Sequence, residues 1–439
     1  MSTIEQPAPV CIIGAGPCGI AAAAVMSDRN RHFDWFEQHD APGGNWLFGS
    51  PTSAAYRHLH TNTSKTRTAY PDFPMPAQIP DYPHHSDVLN YLNAYLDLHQ
   101  LRSCITLNTR VDAVRRVPDG WQVTICSGEQ RHYSAVLVAN GHLWQPYWPD
   151  PPPGNFAGTV MHAHDYVDSA PMRGLHVAVV GLGNTAADVA VEVSVVAERT
   201  FLSTRSGSWV VPKYLFGRPV DTLSTSARIP LRLRNLTSEA AIRMLIGSPK
   251  RYGLPAPAGR YGDSHPVVST RLLDALAHRT VQPKPPIAAF EPNDVRFADG
   301  SRERVDVIIN CTGYRVNFPF LADDVLRVDD NHVELFHQVV APSQPGLFFL
   351  GLVQPIGSVL PIAHGQATWI ADLLDGIAKL PSTHEMHAHI RRFRHQLDER
   401  FPGSPRHAME VDLPEDYLRA LGRERRAGIR RAKESTACA

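Results

Sequence analysis

The stretches CIIGAGPCG, residues 11–19, and VVGLGNTAAD, residues 179–188, decide the fold. Each reads as a buried strand, a glycine turn and the start of a helix. The first unit runs PVCII, GAGPCG, IAAAAVMSD and then HFDWFE, ending at Glu37. The second runs HVAVV, GLGNTA, ADVAVEVSVVA and then RTFLSTR, ending at Arg205. The first glycine of such a turn permits the sharp bend. The second lets backbone approach a pyrophosphate, and the third lets helix and strand pack closely. The helix N-terminus offers unpaired N–H groups and a positive dipole end to phosphate oxygens. One G-x-G-x-x-G is weak evidence; two in strand–turn–helix–strand context are strong. The fold class is α/β, with two Rossmann-like dinucleotide-binding domains.

The two units differ in the residue that closes them. Glu37 is placed to accept hydrogen bonds from a ribose diol, and Arg205 suits a 2′-phosphate. The first unit therefore reads as FAD-binding through Gly14, Ala15, Gly16, Pro17, Cys18, Gly19 and Glu37. The second reads as NADPH-binding through Gly181, Gly183, Asn184, Thr185, Ala186 and Arg205. Arg205 as a plain surface charge is the alternative. Ala186 stands where the third glycine would be, and Ser206 follows Arg205.

Proline-rich WQPYWPDPPPGNF, residues 144–156, reads as a linker. RVDVIINCTGY is a further strand, and LFFLGL leads to the helix HGQATWIADLLDGI. These imply that the NADP domain is inserted into the FAD domain. The boundaries expected are 1–165 and 305–439 for the FAD domain and 166–304 for the NADP domain.

Bulk composition excludes several classes. Among 439 residues, Lys plus Arg and Asp plus Glu are 43 each, which argues against bulk binding to nucleic acid or anionic membrane. The six cysteines form no C-x-x-C pair, so a reduced cytoplasmic setting is expected, and a disulfide reductase's redox pair is missing. The apolar run from Val10 to Met26 holds a proline and glycine turns, so no membrane span is expected. The Arg-rich stretch from Arg419 to Lys433 reads as a solvated helix face. His162 and His164 lack the acid or Cys cluster that a metal needs, and no metal is expected.

Further motifs carry a resemblance over nearly the whole chain. FAGTVMHAHDY matches F-x-G-x-x-x-H-x-x-x-[FY] at Phe156, Gly158, His162 and Tyr166. EQHDAPGGNW and LHTNTSKTRTAYPDFPMP precede it, and NCTGY and GLVQPIGSVLP follow it, in the matching order. Together they resemble the flavin-containing monooxygenases, within the class B flavoprotein monooxygenases. The related Baeyer–Villiger enzymes usually close the linker motif with Trp and then Pro or Asp; here Tyr166 and Val167 stand there.

The resemblance implies an enzyme that uses FAD, NADPH and O2 to oxygenate a soft nucleophile through a flavin C4a-hydroperoxide. The acceptor would be an amine nitrogen, as in N,N-dimethylaniline, or a sulfide sulfur. It extends the cofactor-binding set to Gly44, Asn45, Trp46, Thr61, Asn62, Thr63, Val111 and Gln354. Asn62 is the catalytic candidate, because its amide offers donors and an acceptor with no charge to desolvate. The alternative role for Asn62 is loop stabilisation. His162 reads equally as a linker residue coupled to NADP binding or as a structural hydrogen-bond partner. Arg57, Lys65 and Arg67 flank Asn62 as candidate phosphate contacts or plain surface charges. SWVVPKYLFGRPVD and GRYGDSHPVVS are expected as loops beside the NADP site and substrate entrance. A homodimer is the family expectation. Two other readings stay open: a Baeyer–Villiger monooxygenase acting on ketones, and a non-catalytic FAD/NADP-binding redox module.

Overall fold

In the computed structural model, residues 9–223, 231–257, 259–262, 265–404, 407–411 and 413–437 are described, those of 231–235 by backbone only. Strand β1 (Val10–Ile13) is buried along its whole length. Its alternate side chains serve two different cores. Val10 and Ile12 join the helices on one face, and Cys11 and Ile13 join the aromatic cluster on the other. A strand covered on both faces needs this unbroken apolar run, and each such side chain contributes about 1.5–3 kcal/mol on burial.

Helix α1 (Pro17–Asp28) leaves the first turn with Pro at its start, and eight of its residues are buried. Strand β2 (Phe33–Phe36) returns parallel to β1. Helix α2 (His85–Leu98) opens with a capping box between His84 and Asp87 and buries Val88, Tyr91, Leu92 and Tyr95 beside α1. Strand β3 (Ile105–Thr106) extends the sheet beyond β2. A three-stranded antiparallel sheet follows: β4 (Val111–Val117), β5 (Gly120–Ile125) and β6 (Gln130–Tyr133). Trp121 and Tyr133 from it fill the face of β1 away from the helices. Strand β7 (Ala135–Val138) then pairs with β1 on the side opposite β2.

The chain leaves this domain through β8 (Gln145–Pro146) and enters the second sheet at β9 (Thr159–His162). Strand β10 (His176–Val180), helix α3 (Asn184–Val193) and β11 (Arg199–Ser203) repeat the first unit. Strands β12 (Val281–Lys284) and β13 (Val307–Asn310) complete a parallel sheet in the order β12-β11-β10-β13-β9. The return crossing is β14 (Tyr314–Arg315), which pairs antiparallel with β8. Strand β15 (Leu347–Phe349) then closes the first sheet, in the order β15-β7-β1-β2-β3.

The insertion is as expected in kind and shifted in extent. Boundaries at 165 and 305 assign β9 and β13 to the first domain, yet both hydrogen-bond into the second sheet. Both crossings therefore fall outside them. The physical reason is that β13 pairs with β10, 130 residues away in register, and no local pattern marks that partner.

Beyond β15 lie β16 (Gln354–Pro355), helix α4 (Leu360–Leu374), β17 (Glu410–Val411) and helix α5 (Pro414–Ala437). Strand β17 pairs with β16. The Arg-rich segment lies in α5, which is not solvated all round. It buries Tyr417, Leu421, Gly428 and Ala432, and Arg425 pairs with the buried Asp372 of α4.

Candidate active site

The first cradle is built from backbone. Gly14 takes φ +99°, and a Cβ there would lie 2.7 Å from Ala139 O, so only glycine fits. Gly16 caps α1 in extended backbone, Pro17 and Cys18 begin the helix, and no side chain caps its N–H groups. Ala15 and Gly19 are buried at the turn. Gly44 packs so tightly on Gly16 that an added Cβ would lie 2.8 Å from Gly16 Cα. Glu37 is 5% exposed, and its Oε2 accepts a hydrogen bond from Ala15 N at 2.6 Å. Its Oε1 accepts from His39 N at 3.0 Å. The carboxylate is thus fixed at the mouth of the turn. Thr109 N donates to Glu37 O at 2.8 Å, which sets Val111 beyond the end of β2, with its side chain in the core.

Asn45 and Trp46 form a short 3-10 turn with Gly44. Asn45 Oδ1 accepts from Ala54 N at 2.8 Å, so its side chain fixes the next loop. Trp46 is half-buried against the first core. Gln354 begins β16, where its N–H donates to Met409 O at 2.8 Å.

The second cradle repeats the construction. Gly181 takes φ +125°, and a Cβ would lie 2.6 Å from Cys311 O. Gly183 caps α3 with extended backbone and no side-chain cap. Asn184 Oδ1 accepts from Val268 N at 2.8 Å, and this fastens strand 267–268 to the helix start. Thr185 is half-buried beside it, and Ala186, at the third-glycine position, is fully buried. Arg205 is exposed just past β11 and has no ion pair among the described residues.

A cavity of about 380 Å³ lies where the two domains and the C-terminal segment meet. The first domain supplies Asn62, Thr63 and Tyr70; the second supplies Val211, Asp221, Tyr261 and His265; the C-terminal segment supplies Ile356, Leu413 and Glu415. Both segments expected as loops, 208–221 and 259–269, contribute residues to its lining. Asp221 Oδ2 accepts from Ser64 N at 2.7 Å, while its Oδ1 is buried and has no hydrogen-bond partner. The Thr61 hydroxyl is likewise buried without one. Lys213 bridges the domains: Nζ donates to Thr61 O at 3.1 Å and sits 4.7 Å from the Tyr82 ring centroid. Burial holds its ammonium below the usual lysine range, and the Asp188 charge opposes that shift.

Three sequence candidates have other work. Arg57 pairs with Asp168 at 2.9 Å, Lys65 Nζ donates to Ala77 O and Ile79 O, and Arg67 pairs with Glu415. Arg57 and Arg67 are thus ion-paired, and Lys65 is held by backbone carbonyls. His162 is 1% exposed, with Nδ1 accepting from His164 N at 3.0 Å and its ring beside Trp148 and Tyr314. Burial and then His164 hold its imidazole below the usual value. Asp221, Tyr261, His265 and Glu415 were not singled out by the sequence. They come from three segments far apart in the chain, and no motif joins them.

Residues 8–423 match the model of the family described as FMO-like, flavin-binding monooxygenase-like. The chain is 34% identical over 430 residues to flavin-containing monooxygenase 5 of Mus musculus, covering 92% of this chain and 80% of that protein. It is 32% identical over 441 residues to dimethylaniline monooxygenase [N-oxide-forming] 2 of Rattus norvegicus, covering 94% and 82%. The fold matches the solved structure of S-allyl-L-cysteine S-oxygenase from Allium sativum at a TM-score of 0.73 and 23% identity, over 98% of this chain and 92% of that one.

Proposed function

Because this chain belongs to the flavin-binding monooxygenase-like family, we propose that it oxygenates a soft nucleophile, an amine nitrogen or a sulfide sulfur, with NADPH and O2. For a sulfide the balance is R2S + O2 + NADPH + H+ giving R2SO + H2O + NADP+. One observation carries the reading: Asn62 lines a cavity shared by the two domains and the C-terminal segment.

The residues present fit a flavin dinucleotide. The first turn excludes any Cβ at Gly14 and Gly44, which leaves bare backbone for a pyrophosphate at an uncapped helix N-terminus. Bound flavin supplies hydride acceptance and oxygen activation. Glu37 offers its remaining acceptor positions to a ribose diol. At the second cradle, Gly181, Gly183, Asn184, Thr185 and Ala186 present helix N–H groups to a second pyrophosphate, and Arg205 meets the 2′-phosphate. Asn62 offers a neutral amide to hydrogen-bond the reacting groups. Tyr70, Val211, Ile356 and Leu413 give the same space apolar walls. The linker's Tyr166–Val167 ending favours heteroatom oxygenation over ketone insertion.

Among the described residues, no helix is long and apolar enough to cross a membrane. The five described cysteines are free, which supports a cytoplasmic location.

The test is isotopic. Purified enzyme is given NADPH, 18O2 and a sulfide or tertiary amine. One 18O atom in the sulfoxide or N-oxide per NADPH consumed is expected. NADPH consumption that yields only hydrogen peroxide would overturn the reading, as would a ketone that alone accepts the label.

A further inference from the structure

Glu410 stands behind the cavity wall as a carboxylate without hydrogen bonds. Its side chain is 0% exposed, and neither oxygen has a hydrogen-bond partner. It lies on β17, held against β16. Among the described residues its one ion-pair partner is His265, with Nδ1 3.4 Å from Oε1. That Nδ1 is itself buried and otherwise unpartnered, while His265 lines the cavity.

Charge decides the protonation of this pair. A buried carboxylate that faces a neutral ring and no other donor costs several kcal/mol. The pair is therefore held net neutral, and geometry narrows the ways of pairing the two groups. A ring N–H turned to the carbonyl of an uncharged Glu410 would leave the acid's own O–H buried with no acceptor, because neither oxygen has another partner among the described residues. The pairings that strand no hydrogen put the Glu410 proton on Nδ1 or share it with Nδ1, and in these Nε2 carries the ring's other hydrogen. Nδ1 is buried against Glu410, so Nε2 is the nitrogen left for the cavity.

We propose that His265, held by Glu410, presents a fixed N–H donor to the cavity and selects substrates that carry an oxygen acceptor besides their soft nucleophile. Asp221 shares the cavity with a free carboxylate oxygen, which disfavours a simple anion. The acceptor is a neutral carbonyl oxygen or the acidic end of a zwitterion. Glu410 is a positioning residue that acts through His265. The inference deepens the monooxygenase reading and rests on it for the word substrate.

The test compares 3-(methylthio)propanamide with methyl butyl sulfide, a close match in shape without the acceptor. Wild-type enzyme is expected to favour the amide at least about tenfold in kcat/KM, with the difference in KM. His265→Leu is expected to remove that preference, and Glu410→Gln to reduce it. Independently, 15N NMR of histidine-labelled holoenzyme should show a proton on His265 Nε2 and a shift when pentanamide is added. Glu410→Gln should mix the tautomers.

An unchanged preference in both variants overturns the proposal, as does a bare Nε2 in wild type. It also falls if His265→Leu weakens NADP+ binding and leaves the preference alone. If His265→Leu fails to hold flavin, Glu410→Gln and the NMR titration decide. If neither sulfide is oxygenated, 3-(dimethylamino)propanamide and N,N-dimethylbutylamine make the same comparison, and the pentanamide titration tests the donor independently of oxygenation.

Discussion

Tyr56 Oη donates a 2.7 Å hydrogen bond to Asp188 Oδ2, and that bond ties the Asn62 loop's own domain to helix α3 of the other. Both groups are shielded. Burial, and then the Asp188 charge, push the Tyr56 hydroxyl well up, and burial pushes the Asp188 carboxyl up. Removing the donor leaves a buried acceptor unsatisfied. Tyr56→Phe should therefore cost about 1–3 kcal/mol of stability. Urea denaturation of the holoenzyme measures it, and an unchanged midpoint would show that the bond contributes nothing.

Arg205 is exposed, follows β11 and has no ion pair among the described residues. A guanidinium in that state is available to a 2′-phosphate, which NADH lacks. Arg205→Ala should raise the KM for NADPH by about tenfold or more, the scale of a lost charge-assisted contact, and move that for NADH by less than about twofold. Parallel changes with both cofactors would reduce Arg205 to a surface charge.

Gly181 and Gly14 separate the two cradles experimentally. A Cβ at Gly181 would meet Cys311 O at 2.6 Å, in backbone with φ +125°. Gly181→Ala should purify with flavin and lose NADPH binding. Gly14→Ala should lose flavin. Flavin absorbance and equilibrium binding of NADP+ read the two outcomes, and loss of both ligands in Gly181→Ala would refute independent cradles.

Asn62 lines the cavity and accepts only a long 3.4 Å hydrogen bond from the Thr63 hydroxyl, so its amide is free for a ligand. Asn62→Ala should keep flavin and divert NADPH oxidation toward hydrogen peroxide. The ratio of oxygenated product to NADPH consumed should fall about tenfold or more. A ratio unchanged from wild type would leave Asn62 as a loop residue.

Acid should weaken the fold at His337. Burial, then His389 and Arg423, lower its imidazole from 6.5 to about 3. The unfolded chain takes up this proton near 6.5, and the folded one does not until about 3. The contribution is complete above the unfolded value and is lost as pH falls toward the folded one. His337→Asn suits the backbone there, at φ +51°. Its urea midpoint should fall less steeply than wild type between about pH 7 and pH 4. Equal slopes would show that His337 does not carry the acid sensitivity.

Much of this was legible in the chain. The glycine turns, the buried strands around them and the closing residues Glu37 and Arg205 are local patterns, and sequence carries local patterns well. Strands β9 and β13 were misassigned because their sheet is chosen by distant partners, and a short apolar run fits either one. The cavity was hardest. Asn62 announced itself inside a motif. Asp221, His265 and Glu410 meet only after two domains and a C-terminal segment have folded together. The same distance hid the partners of Arg57 and Arg67, which pair with Asp168 and Glu415.

The pairing of β8 with β14 has an architectural consequence. Tyr147 N donates to Gly313 O at 2.9 Å, so the outgoing and incoming chains are already neighbours where they pass between domains. Every strand of the first parallel sheet lies outside residues 148–312. The second domain is therefore a cassette plugged into a single socket. A spacer of a few residues joining Tyr147 to Gly313 would remove it without breaking one rung of that sheet, and a foreign nucleotide-binding domain with adjacent ends could take its place.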